Sequence, residues 1–153
     1  MLLATKFMRP AADPRAVDRP RLLARMAASA GKRLTTITAP AGYGKTTLVN
    51  QWCEQQAAPV AWLSLDDHDD DPGRFWTYVV GALEHTLLPR RDSIHRFLDE
   101  PDEQRLEGVV TALINTLIEE RIDACVVILD DYHLIQDPRI HRQITFLIDH
   151  GPP

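Results

Sequence analysis

The sequence predicts an α/β fold with a mostly parallel sheet. Short β-branched or continuously apolar runs at 34–38, 60–65 and 125–129 alternate with longer segments whose apolar residues recur at the helical period. Such alternation implies right-handed β–α–β crossovers and therefore parallel strands. Ligands bind such sheets beyond the carboxyl ends of the strands, so we expect a functional site at that edge.

Composition restricts the function classes. The 153 residues suffice for one domain with a sizeable core. The net charge of −5 argues against nucleic-acid binding through a net positive electrostatic potential. No apolar stretch reaches the length of a transmembrane helix, and the N-terminus lacks the apolar run of a signal peptide. We therefore expect a cytoplasmic protein with no membrane partner, in which Cys53 and Cys125 are small buried hydrophobes.

The first elements follow from helix and turn signals. Residues 1–18, which carry two prolines among polar residues, are predicted to form an extended N-terminal arm, and residues 19–153 the domain. Asp18 is expected to cap a helix with Pro20 in its first turn, and Gly31 is expected to end that helix.

Two predicted strands follow in the central part of the chain. The β-branched run 34–38 is predicted to be a buried strand, followed by a loop at 39–44 and then a helix. A second strand at 60–65 leads into an acidic loop, and Asp71 before Pro72 starts the next helix. The helix after the first loop carries its apolar residues on one face: Leu48, Val49, Trp52 and Cys53.

The second half continues the alternation. Residues 90–101 are predicted to be a polar connection, and Asp102 is predicted to open a third helix with a wide apolar face. The uniformly apolar run 125–129 is predicted to be a strand buried on both faces. Asp137 then starts a last helix. Core positions are expected for all three tryptophans: Trp52, Trp62 and Trp76.

Residues 39–47, Ala-Pro-Ala-Gly-Tyr-Gly-Lys-Thr-Thr, match the pattern of a phosphate-binding P-loop between a strand and a helix. Ala39 replaces the usual first glycine, at a position where the strand leaves the sheet and alanine should be tolerated. Gly42 and Gly44 allow the backbone to approach phosphate oxygens, and the following helix offers free N–H groups and a positive dipole end.

The side chains after the glycines complete the predicted triphosphate cradle. Lys45 supplies a positive charge for the β- and γ-phosphates, the Thr46 hydroxyl is placed to ligate Mg²⁺, and Thr47 can contact the α-phosphate. The predicted nucleotide contacts are Ala41, Gly42, Tyr43, Gly44, Lys45, Thr46 and Thr47.

A second motif lies at the end of the apolar run, where Val126–Leu129 is followed by Asp130 and Asp131. A carboxylate at the end of a buried strand can reach the shell of Mg²⁺, usually through water, so Asp130 is the predicted metal residue. Asp131 is predicted to be catalytic, orienting or activating a water near the γ-phosphate. The alternative is that the pair only begins a surface turn. The two motifs together narrow the fold class to a P-loop NTPase three-layer sandwich.

Three weaker candidates have structural alternatives. The aspartates 66, 67, 69, 70 and 71 could bind a metal, but a solvated loop with a helix cap is favoured. His133 could sense the γ-phosphate, or it could be a hydrogen-bonded structural histidine. Arg74 could touch phosphate, or it could be an exposed helical arginine.

Several stretches together resemble the N-terminal ATPase module of the large ATP-binding LuxR regulators, the type of the maltose-regulon activator. The resemblance covers nearly the whole chain. The segments that carry it are Leu3–Phe7, Val17–Leu23, Ala39–Thr47, Ala61–Asp66, Asp71–Trp76 and Leu129–Ile135.

This resemblance implies a signal-transduction ATPase of the STAND type. In that family ADP holds a closed monomer, whereas inducer and ATP promote an open form that self-associates. The family also carries a helical sensor region and a C-terminal helix-turn-helix that binds DNA. This chain is therefore expected to contact DNA only through a C-terminal domain that the 153 residues lack. Adenine recognition is associated with a segment that corresponds here to Val17, Arg19 and Pro20.

Family proteins are several times longer than this chain, and the resemblance implies a further strand between the P-loop strand and the Asp130 strand. That strand would begin just after Pro153. We therefore expect a sheet that lacks a central member, weak nucleotide binding, poor hydrolysis and exposed apolar strand edges.

The leading functional prediction is a nucleotide switch in a transcription regulator, with ATP or ADP and Mg²⁺ as cofactors and at most slow regulatory hydrolysis. One alternative is a P-loop phosphotransferase acting on a small molecule, although such an enzyme does not need a paired acidic strand end. A second alternative is a non-catalytic fragment of a longer protein.

Overall fold

The computed structural model describes residues 2–11, 13–29, 31–89, 92–99 and 103–152. Two compact units are present. The larger unit combines the residues up to Met8 with those from Pro59 onward, and the smaller unit is Arg9–Ala58. The boundary expected at residue 18 stays a prediction.

The helices and strands alternate as expected in the larger unit. In chain order the elements are α1 (Pro20–Ala28), α2 (Lys45–Cys53), β1 (Val60–Ser64), α3 (Pro72–Thr86), α4 (Asp92–Leu98), α5 (Glu103–Glu119), β2 (Val126–Asp130) and α6 (Pro138–His150). Short 3₁₀ turns lie at Ala4–Phe7, Asp67–Asp69 and Tyr132–Leu134. In the part of the chain that the structure describes, no helix is both long enough and apolar enough to cross a bilayer.

The sheet confirms the predicted parallel α/β class. Among the described residues it consists of β1 and β2, which run parallel with Val60 opposite Val126 and Ser64 opposite Asp130. The middle of β1 is fully buried, whereas the side chains of β2 are only half-buried and Val127 is exposed. The prediction that β2 is buried on both faces is therefore wrong, because within the described residues β2 has a strand neighbour on one edge only.

The prediction of a buried strand at 34–38 is also wrong. No described residue in that run belongs to a strand, and Leu34 is 59% exposed. An extended segment gains little from its backbone unless a neighbouring strand accepts and donates its hydrogen bonds. The β-branched composition of the run therefore does not suffice to make it a strand here.

The core of the larger unit lies around α3 and α5, whose apolar residues are buried largely as their spacing predicts, although Ile118 of α5 is exposed. Trp76 is fully buried and donates from its indole Nε1 to Gln143 Oε1 at 2.6 Å, which ties α3 to α6. Trp62 is buried as predicted, with Nε1 donating to Ser64 Oγ at 3.1 Å. Trp52 lies in the smaller unit, is only half-buried, and its Nε1 has no partner among the described residues.

Helix starts test the capping predictions. Asp71 caps α3 by accepting from the backbone N–H of Arg74 at 2.9 Å, and Asp137 caps α6, both as predicted. The prediction for Asp18 is wrong, because α1 begins at Pro20 and its cap residue is Arg19. The prediction that Asp102 opens α5 lies outside the described residues.

Two segments predicted to be irregular are ordered. The connection at 90–101 contains α4, and Ile94 is buried against the core because α4 packs on α5. The first residues are not an extended arm: Ala4–Phe7 forms a 3₁₀ turn, and Leu2 and Phe7 lie against Gly81 of α3. A Cβ at Gly81 would lie 2.6 Å from Leu2 Cδ1, so a larger residue there would make the Leu2 side chain shift.

Candidate nucleotide-binding site

The predicted phosphate loop connects to α2 through two glycines with left-handed backbone. Gly42 has φ 79°, and Gly44 is the cap residue of α2 with φ 74° and ψ 34°. The carbonyl of Gly44 accepts the first helical bond, from the N–H of Leu48 at 2.9 Å. The loop therefore turns directly into a helix whose first N–H groups are not used within the helix, the arrangement that binds anions.

The Lys45 side chain folds back over the loop. Its ammonium donates to the carbonyl of Ala39 at 2.8 Å and to that of Pro40 at 3.3 Å. The backbone N–H of Tyr43 reaches the same Pro40 carbonyl at 3.4 Å. An ammonium has three donors, so these two bonds hold the charge at the loop and leave one hydrogen for a further acceptor.

Arg19 contacts the loop from outside. Its Nη1 donates to the Tyr43 carbonyl at 2.8 Å, and its Nη2 lies 3.3 Å from the position that a Cβ on Gly44 would occupy. Of the three residues that the resemblance associates with adenine, Arg19 thus lies at the phosphate loop, Pro20 begins α1, and Val17 is 74% exposed.

A cavity of about 390 Å³ opens beside Thr46 and Thr47 within the smaller unit. Its walls come from residues 10–18, from Leu23 of α1 and from residues 46–55, and they include Asp18 and Asn50. Asn50 Nδ2 donates to the Pro10 carbonyl at 2.8 Å, which fixes the amide, and the buried Oδ1 has no partner among the described residues. This polar cavity adjoins the two threonines predicted to meet Mg²⁺ and the α-phosphate.

The predicted acidic strand end has an unusual backbone. Asp130 is the last residue of β2, and its carbonyl accepts from the N–H of Leu65 at 3.1 Å. Asp131 has φ 61°, a left-handed conformation that aspartate adopts more readily than most residues. Its N–H donates to Asp130 Oδ1 at 3.2 Å, and His133 Nδ1 lies 3.7 Å from Asp131 Oδ1. His133 therefore sits beside the carboxylate predicted to be catalytic.

Residues 66–71, which we call the acidic turn, have a structural role that the sequence did not reveal. Asp69 is completely buried and pairs with Lys6, which also contacts Asp66 Oδ2 at 2.7 Å. Lys6 holds the pKa of the Asp66 carboxyl below its usual value by its hydrogen bond. Among the described residues, no group of three or more histidines, cysteines or carboxylates is arranged to hold a metal ion. The favoured expectation was a solvated loop with a helix cap. Asp71 is the expected cap, but Asp69 is buried and not solvated.

Arg74 and Tyr132 also have partners. Arg74 Nε donates to Asp69 Oδ1 at 3.1 Å, which engages the guanidinium in the acidic turn. Tyr132 packs edge-on against Phe75, and its hydroxyl lies 2.7 Å from His141 Nδ1. No local sequence pattern indicates the Tyr132–His141 contact, because a nine-residue spacing across a turn has no fixed geometry.

The two glycines of the loop should respond differently to alanine. We expect Gly42→Ala to cost about 1–2 kcal/mol of stability, because alanine must adopt a left-handed backbone. Gly44→Ala should cost more, since its Cβ also meets Arg19 Nη2 at 3.3 Å. Urea unfolding followed by fluorescence measures both, with Gly31→Ala as the control because a Cβ at Gly31 meets nothing within 4 Å. Equal costs at Gly42 and Gly44 would contradict the contact with Arg19.

Residues 28–150 match the family described as AAA domain, and the chain therefore belongs to this family of P-loop domains. The predicted α/β P-loop fold class is thereby confirmed.

Particular relatives narrow the comparison further. The chain is 36% identical over 152 residues to the HTH-type transcriptional regulator MalT of Yersinia enterocolitica, and 37% identical over 156 residues to that of Serratia proteamaculans. The MalT regulator of Cronobacter sakazakii is 36% identical over 152 residues. Each comparison covers 99% of this chain and 17% of the relative. The predicted resemblance to the ATPase module of such regulators is confirmed.

Proposed function

We propose that this chain is the Mg-ATP-binding nucleotide-switch module of a LuxR-type transcriptional regulator. The observation that carries the proposal is the loop at the start of α2, where left-handed Gly42 and Gly44 precede Lys45 and the lysine ammonium is held over the loop. Similarity to the MalT regulators over nearly the whole chain supports the regulatory context. The sensor and DNA-binding regions would lie outside these 153 residues, and the setting would be cytoplasmic.

The loop residues would bind the phosphates of ATP or ADP. Backbone N–H groups from Ala41 to Thr47 would donate to phosphate oxygens, and Lys45 would use its remaining hydrogen on the β- or γ-phosphate. Arg19 would steady the loop through the Tyr43 carbonyl. Val17, on the same N-terminal segment, is retained as a base contact from the resemblance alone.

Magnesium fits the residue types proposed for it, because the Thr46 hydroxyl and the Asp130 carboxylate are hard oxygen donors. When bound, Mg²⁺ would neutralise charge on the phosphate oxygens. Asp131 would orient the attacking water, with His133 Nδ1 lying 3.7 Å from its carboxylate. Hydrolysis would be slow and would reset the switch, with self-association or contact with a sensor region following the ATP state.

The proposed domain of residues 19–153 would be completed by a further strand from outside this sequence. The half-buried side chains of β2 and the exposed run at 34–38 support this part of the proposal, because each would gain from an added strand neighbour. A longer version of the protein should then protect both segments from hydrogen exchange relative to the 153-residue chain.

The fate of the γ-phosphate tests the proposed function. With ATP labelled in the γ-phosphate and Mg²⁺ present, we expect slow release of inorganic phosphate that Asp131→Asn reduces further. Transfer of the label to an added small molecule would instead identify a phosphotransferase. Specific binding of ATP and ADP without turnover would leave a binding switch, and absence of nucleotide binding would overturn the proposal.

A further inference from the structure

An N-terminal lysine occupies a buried anionic socket in the larger unit. Lys6 is 6% exposed, and its ammonium contacts both Asp66 and Asp69. The same ammonium lies 4.6 Å from the centre of the Tyr78 ring, and the Tyr78 hydroxyl accepts from the N–H of Leu3 at 3.4 Å. Burying a lysine is costly unless it is paired and hydrogen-bonded, so these contacts fix the first residues of the chain on α3.

The Asp69 carboxylate connects Lys6 to other residues of the acidic turn and to α3. Its Oδ2, besides meeting Lys6, accepts from the backbone N–H of Asp66 at 2.8 Å, and its Oδ1 accepts from Arg74 Nε. Asp66 Oδ1 in return accepts from the N–H of His68 at 2.9 Å, forming a capping box. The conformation of the turn therefore depends on one buried carboxylate whose main counter-ion is Lys6.

The segment that follows β2 is held at its near end by the residue after β1 and at its far end by the acidic turn. At the near end, the N–H of Leu65 donates to the Asp130 carbonyl at 3.1 Å. At the far end, Asp70 Oδ1 accepts from the N–H of Gln136 at 2.8 Å and from that of Asp137 at 2.7 Å. The backbone between these points carries Asp130 and Asp131.

We propose that Lys6 is a positioning residue for the segment from Asp130 to Asp137. It acts through Asp69 and Asp70, and it does not touch nucleotide. The structural part of this inference stands on the contacts of the larger unit alone. Its functional part rests on the proposed function, because it requires Asp130 and Asp131 to serve Mg²⁺ and water.

Hydrogen exchange at two amides tests the structural part directly. In Lys6→Met we expect the Gln136 and Asp137 amides to exchange about fivefold faster relative to those of Val110 and Leu113 in α5, as for the loss of one hydrogen bond. Normalising to α5 removes any global loss of stability. Lys32→Met, at an exposed lysine, is the matched control and should change neither amide.

Further variants keep the test decisive if Lys6→Met folds poorly. Asp70→Ala removes only the last link and should raise exchange at the same amides, whereas Asp70→Asn keeps an acceptor and should raise it less. Lys6→Met/Asp69→Asn removes both buried charges and should restore protection. Unchanged exchange in Asp70→Ala, or a double variant that regains stability without regaining protection, would overturn the proposal.

The functional part has its own readout in Mg²⁺. In both Lys6→Met and Asp70→Ala we expect the gain in ATP affinity on adding Mg²⁺ to fall, while the affinity without Mg²⁺ stays as in wild type. A full Mg²⁺ gain in both variants, despite faster amide exchange, would overturn the functional role of the relay. If wild type itself shows no Mg²⁺ gain, the proposed function fails, and the amide exchange still decides the positioning role.

Discussion

Lys45→Ala is expected to weaken Mg-ATP binding about 100-fold, the effect of losing charge-assisted hydrogen bonds to a phosphate together with the order of the loop. The loss should exceed that of a simple surface charge, because the Lys45 ammonium also bonds the Ala39 and Pro40 carbonyls at the start of the loop. Removing it leaves those two carbonyls without the ammonium that bonds them. Titration calorimetry of the 153-residue protein with ATP and Mg²⁺ measures the change.

Lys32→Ala is the matched control for charge. Lys32 is an exposed lysine of the same unit, so its removal changes the net charge equally and should leave ATP affinity as in wild type. If Lys45→Ala retained wild-type affinity while remaining folded, the assignment of 39–47 as the phosphate loop would be refuted.

Lys6→Met is expected to lower the free energy of unfolding by about 3 kcal/mol, the scale for removing one partner of a buried ion pair. Asp69 has no exposed surface, and after the change its charge would be balanced by Arg74 alone. Chemical denaturation followed by tryptophan fluorescence measures the loss. Combining Lys6→Met with Asp69→Asn should recover much of it, because no unpaired charge is then buried. A double variant no more stable than Lys6→Met would contradict the pairing.

Lowering the pH should reduce the difference in free energy of unfolding between Lys6→Met and wild type. The pKa of Asp66 is lowered in the folded protein by its hydrogen bond with Lys6. A carboxyl with a lowered folded pKa contributes stability above its unfolded pKa, and that contribution disappears as the pH falls through the folded value. The destabilisation by Lys6→Met should therefore be larger at neutral pH than in acid. A difference that grows on acidification would mean that Asp66 is not held ionised by Lys6.

Local sequence patterns predicted the features whose causes are local. The glycine spacing of the loop, the aspartate cap before Pro72 and the apolar stripes of α3 and α5 each depend on residues a few positions apart. The parallel pairing of β1 and β2 followed from the alternation of strands and helices. These are the parts of the fold and of the candidate site that could be predicted.

The features that could not be predicted depend on distant partners. A β-branched run such as 34–38 becomes a strand only when it pairs with another strand. Among the described residues, neither β1 nor β2 pairs with it. Lys6 was predicted to lie in a polar arm because its counter-ion, Asp69, is 63 positions away in the sequence. Ile94 is likewise buried because α4 packs on α5, a distant part of the chain. The segment that contains it was expected to be an irregular connection.

The central claim of the proposed function is that the loop at 39–47 and the carboxylate of Asp130 would serve one Mg-nucleotide. The direct measurement is ATP affinity with and without Mg²⁺ for wild type and Asp130→Asn. We expect Mg²⁺ to raise the affinity of wild type, Asp130→Asn to lose most of that increase, and the two proteins to bind metal-free ATP equally. An undiminished Mg²⁺ effect in Asp130→Asn would contradict the claim.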